Sequence, residues 1–109
     1  GEDENGEGDK PPKIPPCPVQ KIVELYHEQM PELPKIRVLS DTAAGYIRQR
    51  WREHMPDLND WRNFFARIRR SDFLMGRVEA RDGKKIFRAD LEWITRPTNF
   101  AKIANGKYD

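Results

Sequence analysis

The sequence predicts a mainly α fold: a three-helix unit, a small β-hairpin and short C-terminal helical turns. Three observations lead there. Apolar residues recur at spacings of three and four in three successive stretches between Val19 and Ile68. Pro31, Pro34 and Pro56 fall between those stretches, where helices must stop. After Arg70 the helical period gives way to two short runs flanking Asp82-Gly83, and then to a tail punctuated by Pro97 and Gly106.

Residues 1–17 read as a disordered, acidic and proline-rich linker, and residues 18–109 as one small helical module. Glu2, Asp3, Glu4, Glu7 and Asp9 against Lys10 leave the first ten residues at −4, so the other 99 carry +6 to give the chain's +2. Such a block cannot bury enough apolar surface to order itself. Pro11, Pro12, Pro15, Pro16 and Pro18 favour an extended, semi-rigid spacer. Pro18 also suits the first turn of a helix in which Val19, Ile22, Val23, Tyr26 and Met30 recur at helical spacing, with Leu25 beside them. Residues 35–39 read as a loop or a short extended piece. Ser40 is placed to cap a second helix running to about Met55, striped by Ala43, Ile47, Trp51 and Met55 and weakened at Gly45. Asp57 is placed to cap a third, with Leu58, Trp61, Phe64, Phe65 and Ile68 along one face.

Residues 78–87 are expected to form the hairpin around a primed Asp82-Gly83 turn. A lone two-stranded ribbon is marginal in water, so it must pack on the helices or move. Asp90 is placed to cap a short turn carrying Leu91, Trp93 and Ile94. Pro97 ends that turn, and a last one from Thr98 or Asn99 closes at Gly106.

Composition narrows the function classes. At 109 residues the chain holds one domain at most. It is 37% hydrophobic and 35% charged, so a compact core must sit under a densely ionic surface, with three Trp, five Phe and three Tyr supplying its bulk. Cys17 is the single cysteine, which excludes an internal disulfide and a cysteine metal cluster. No apolar run is long enough to span a membrane, and no secretory leader is recognisable, so a cytoplasmic location is expected. The chain starts at Gly1, which leads us to expect a fragment with a partner domain upstream.

Catalytic readings find no foothold, and no cofactor is expected. His27 and His54 fall on different predicted helices without zinc-ligand spacing. His27 is expected to be solvated, and His54 to sit at a helix C-terminus in a structural role. Cys17 lies between prolines with no base beside it to activate the thiol. Asp90 and Glu92, two apart, do not share a helical face, so they form no acid–base dyad. Met30, Met55 and Met75 read as core fillers, as do Trp51 and Trp61 on their stripes.

The informative chemistry is cationic and aromatic. Between Arg37 and Arg70 stand eight arginines, no lysine and four acids, a net +4. Arg48 and Arg52 share a helical face, as do Arg62 and Arg69, and Arg67 and Arg70. Guanidinium groups bind phosphates bidentately and stack on bases. Candidate nucleic-acid contacts are therefore Arg48, Arg50, Arg52, Arg62, Arg67, Arg69 and Arg70, with Lys84 and Lys85 of the hairpin as a second patch. A solvated ionic face and an acidic protein partner are the alternatives. Candidate partner-binding residues are Phe73, Leu74, Arg77, Trp93, Phe100, Lys102 and Tyr108. Trp93 is expected to be buried or, failing that, to stack on a base. The acidic first ten residues are expected to compete with DNA for the basic faces.

Several ordered motifs run through the module: Pro34-Lys35-Ile36-Arg37, Ile47-Arg48-Gln49-Arg50-Trp51-Arg52-Glu53, and Trp61 with Phe64-Phe65. They continue with Ser71-Asp72-Phe73-Leu74-Met75-Gly76-Arg77, and with Asp90, Trp93, Pro97, Asn99-Phe100-Ala101-Lys102, Gly106 and Tyr108. From Ile14 to Tyr108 the chain resembles the C-terminal module of bacteriophage and prophage DNA replication proteins. That resemblance implies a part in replication initiation inside the bacterial host cell, through DNA contact, through recruitment of the replicative helicase or its loader, or through both. It implies no catalytic residues. Ala43, Ala44 and Gly45 stand where the resemblance leads one to expect a more basic stretch, so no DNA contact is carried over to them.

Overall fold

The computed structural model describes residues 13–109. Six helices run through them: Val19–Gln29 (α1), Asp41–Glu53 (α2), Leu58–Arg69 (α3), Asp72–Met75 (α4), Leu91–Thr95 (α5) and Pro97–Ala104 (α6). The acidic block assigned to the linker falls among residues 1–12 and lies outside the described residues, as does its expected competition with DNA.

Caps and stops act where the sequence places them. Ser40 Oγ accepts from the Ala43 amide at 3.0 Å, Asp57 Oδ1 from Asn59 at 2.7 Å, and Asp90 Oδ1 from Trp93 at 2.8 Å. Each satisfies a first-turn donor that has no partner inside its helix. Pro97 stops α5 but also opens α6, ahead of the start expected at Thr98 or Asn99, because its missing N–H costs nothing in a first turn. Gly106, at φ +85°, closes α6: its own amide returns to Ile103 and the Lys107 amide to Lys102.

The three long helices do not close a core by themselves. α1 packs on α3, but α2 packs most extensively on α5, which in turn lies against α6. The short C-terminal helices therefore cover the apolar stripe of α2. The resulting core holds Ile22, Tyr26, Ile47, Trp61, Phe65, Ile68, Leu91 and Ile94, each fully buried. Burying each such side chain stabilises the fold by about 1.5–3 kcal/mol before chain entropy is counted. The Trp61 indole N–H donates to Met55 O at 2.9 Å across the α2–α3 corner. That of Trp51 donates to Pro15 O at 2.7 Å, seating the residues ahead of α1 on α2. Cys17 packs against the core there, and burial raises its thiol above the ordinary value despite the nearby Arg48 charge.

The α1–α2 loop folds back over the end of α1. The Tyr26 hydroxyl donates to Pro34 O at 2.6 Å, and burial, with the Asp90 charge adding to it, lifts that phenol well above its usual range. His27 is not solvated as expected: its Nε2 accepts the Ile36 amide at 2.9 Å. Its proximity to the helix surface conveys nothing of the loop that returns across it.

The expected β-hairpin is also corrected. Asp82 (φ 47°) and Gly83 (φ 71°) adopt left-handed conformations, and the Lys84 amide donates to Arg81 O at 2.8 Å, so the primed turn exists. Its flanks make no strand ladder, and no strand occurs among the described residues. Residues 78–86 are all exposed, so pairing them would bury no apolar face to offset the ordering of two short strands. The loop is instead held at its ends, by the Arg77 amide on Asp72 O at 2.8 Å and the Ala89 amide on Leu74 O at 2.9 Å.

Gly76 makes the first of those anchors possible. It closes α4 at φ +74°, and a Cβ there would overlap the stem of Arg88. Gly76→Ala is expected to cost about 1–2 kcal/mol from the left-handed backbone alone. A thermal melt of the two proteins would measure it, and equal stabilities would contradict the assignment.

Candidate nucleic-acid interface

The predicted cations divide into two groups. Arg50 is 1% exposed and cannot meet a phosphate. It lies at the α2–α6 junction, with its guanidinium 5.4 Å from the Phe100 ring centroid and Nη1 a long 3.4 Å from Thr95 O. Its Nη2 is 3.7 Å from Glu53, and Nε has no hydrogen-bond partner. Burial lowers its pKa, with Glu53 opposing that shift and Arg52 adding to it.

Arg69 is held between helices. Nη1 donates to Gln29 O at 2.6 Å and to Glu32 at 2.7 Å, and Nη2 to the same carboxylate at 2.9 Å. These bonds cap the carbonyl end of α1 and hold the Glu32 carboxyl down to about 2. Arg67 grips Asp109 in the same forked manner, at 3.2 and 3.0 Å, and holds that carboxyl below its ordinary value. Arg62 donates to Asn59 Oδ1 at 2.9 Å and remains exposed. Arg77, assigned to partner binding, is tied to Asp72 at 2.9 Å and to the Arg69 carbonyl.

Arg48, Arg52, Arg70, Lys84 and Lys85 are exposed, and no ion pair among the described residues engages them. Arg48 and Arg52 share the outer face of α2, whereas Arg70, Lys84 and Lys85 flank a different feature.

That feature is aromatic. Phe73 of α4 stacks on Phe87 (centroids 5.0 Å, planes 21° apart) and on Tyr108 (5.3 Å, 16°). Trp93 of α5 leans on both of those rings, 5.0 Å from Phe87 and 5.8 Å from Tyr108. The four rings thus form a closed circuit drawn from four separate segments. Phe73 is 42% exposed, and the other three are half-buried. Two grooves meet at Phe73. One, of about 670 Å³, is lined by Val78, Ile86 and Phe87 with Arg81, Lys84 and Lys85. The other, of about 390 Å³, runs past Tyr108 with Arg70 and Lys107.

Of the partner-binding candidates, Phe73, Trp93 and Tyr108 therefore come together, and Lys102 is exposed on α6. Leu74 and Phe100 do not join them. The single turn of α4 points Phe73 outward and Leu74 inward, where Leu74 is 1% exposed. Phe100 is buried against Phe64 at 5.2 Å and His54 at 4.7 Å. Phe87 was not among the expected residues. The signal for Phe87 was a large ring ending a run with too few apolar neighbours to bury it in a two-stranded ribbon.

No family model matches the chain, and neither a curated protein nor a solved structure matches it. No group of three or more His, Cys, Asp or Glu that could hold a metal ion occurs among the described residues, and no helix of theirs is long and apolar enough to cross a membrane.

Proposed function

We propose that this chain is a non-catalytic nucleic-acid-binding module, serving a phage-type DNA replication initiation protein of the kind it resembles. The observation that supports it is a surface carrying exposed cations with no carboxylate at ion-pair distance among the described residues, Arg48, Arg52, Arg70, Lys84 and Lys85 being five of them. A cation already paired gains little by exchanging one anion for another. An unpaired one releases the phosphate's condensed counterions on contact, which is the main sequence-independent drive for binding.

Titrating the protein against single-stranded and duplex DNA across salt concentrations tests this. Log affinity is expected to fall linearly with log salt, and Arg48→Ala with Arg52→Ala is expected to reduce the slope by about 1.4–1.8. Absence of binding at low salt would sink the proposal.

A second reading, docking to a replicative helicase or its loader, draws on one specific observation. Three of the exposed large apolar side chains, Phe73 (42%), Val78 (41%) and Ile86 (40%), line a single groove. Co-elution of this protein with a helicase, lost in Val78→Asp, would favour that reading.

A further inference from the structure

We infer that the Phe73–Phe87–Trp93–Tyr108 circuit is a base-stacking subsite, and that the nucleic acid bound is single-stranded. This rests on the nucleic-acid reading above and adds the strand class. These rings lie at the margin of the core: Trp61 and Phe65 are fully buried and Phe64 nearly so, whereas Phe87, Trp93 and Tyr108 pack against the core from outside and, with Phe73, keep surface in water. Because each ring is braced by two others, the platform is ordered before a ligand arrives, and little side-chain freedom is lost on binding.

Charge brackets the platform on both sides. Phe73 forms the ridge between the grooves, with Arg81, Lys84 and Lys85 on one flank and Arg70 and Lys107 on the other. The acids there are Glu79 in the first groove and Asp72 and Asp109 in the second. The latter two are already neutralised by Arg77 at 2.9 Å and Arg67 at 3.0 Å. A backbone crossing the ridge meets a cation before and after it, and the base between them lies against an aromatic ring. Interleaved cations and rings are what sequence-tolerant single-strand binding requires. In a duplex the base faces are hidden in the stack, leaving the rings nothing to meet. A protein-docking core is depleted of charge, whereas here the apolar side chains alternate with cations.

The test uses the whole chain and a fluorescent oligothymidylate of roughly 15 nucleotides, alone and annealed to its complement. The single strand is expected to bind about tenfold more tightly than the duplex. Binding is expected to quench tryptophan fluorescence, which reports Trp93 because Trp51 and Trp61 are 5% and 0% exposed. Phe73→Ala is expected to weaken single-strand binding about tenfold with an unchanged salt slope and only a small loss of melting temperature from its two ring contacts, while Phe73→Tyr retains affinity. Trp93→Phe is expected to abolish the quenching and keep the binding.

Equal affinities for the two forms, with Phe73→Ala silent, would overturn the stacking subsite and leave the nucleic-acid reading standing. No binding to either form would remove both together. Polyglutamate bound as tightly as oligothymidylate, and released by Phe73→Ala, would make an acidic peptide the occupant and overturn the inference.

Discussion

Trp61→Ala is expected to destabilise the protein by about 3–5 kcal/mol, the range for emptying a buried aromatic site. Trp61 is fully buried and its ring meets Phe64 at 6.4 Å and Phe65 at 5.9 Å, both edge-on. Removing it opens a cavity that those rings cannot collapse into without losing their own contacts. It also strips Met55 O of its indole donor, at the corner that turns α2 into α3. Small domains hold roughly 5–15 kcal/mol in total, so the variant should be largely unfolded in mild denaturant. Trp61→Phe keeps most of the volume but not the hydrogen bond, and should fall between the two. Denaturant titration followed by far-ultraviolet circular dichroism measures all three. A Trp61→Ala midpoint close to the parent's would mean that this corner does not anchor the core.

Trp61 was legible because α3 is the purest pattern in the chain. Leu58, Trp61, Phe64, Phe65 and Ile68 recur at helical spacing, and all but the half-buried Leu58 are buried. The caps at Ser40, Asp57 and Asp90 were legible for a related reason: capping is local, and four residues of sequence contain all of its physics. The role of α5 was not legible. A five-residue helix shows no period, and its placement over α2 is decided by residues far away in the chain. The hairpin failed in an instructive way. Asp82-Gly83 dictates its own turn, but a ladder needs a buried face, and nothing in residues 78–86 supplies one.

The site was legible by type more than by membership. An arginine's identity does not disclose what lies opposite it, so Arg67 and Arg69 read like Arg70. Only the fold brings Asp109 and Glu32 to the first two. The aromatic circuit joins residues 73, 87, 93 and 108, and closing a ring across such separations is invisible to any local pattern. One exclusion was within reach. Arg50 lies three residues after Ile47 and beside Trp51, which places it on the buried stripe of α2 rather than with Arg48 and Arg52.

Arg50 therefore carries the sharpest separation of structure from function. Its guanidinium is buried with long contacts, 3.4 Å to Thr95 O and 3.7 Å to Glu53, and an unpartnered Nε. Desolvating a cation is costly, and contacts that long do not offset it. What holds it in place is its alkyl stem and the Phe100 face beneath the charge. Arg50→Met keeps the stem and deletes the charge, so stability should stay level or rise by about 1 kcal/mol. Arg50→Ala deletes both, opens space between α2 and α6, and should lose about 2–3 kcal/mol. DNA affinity of the methionine variant should equal the parent's, because the replaced group never reached solvent. Equal destabilisation by both substitutions would mean the charge, not the stem, stabilises this junction. A methionine variant that melts like the parent yet loses DNA would return Arg50 to the phosphate-binding set.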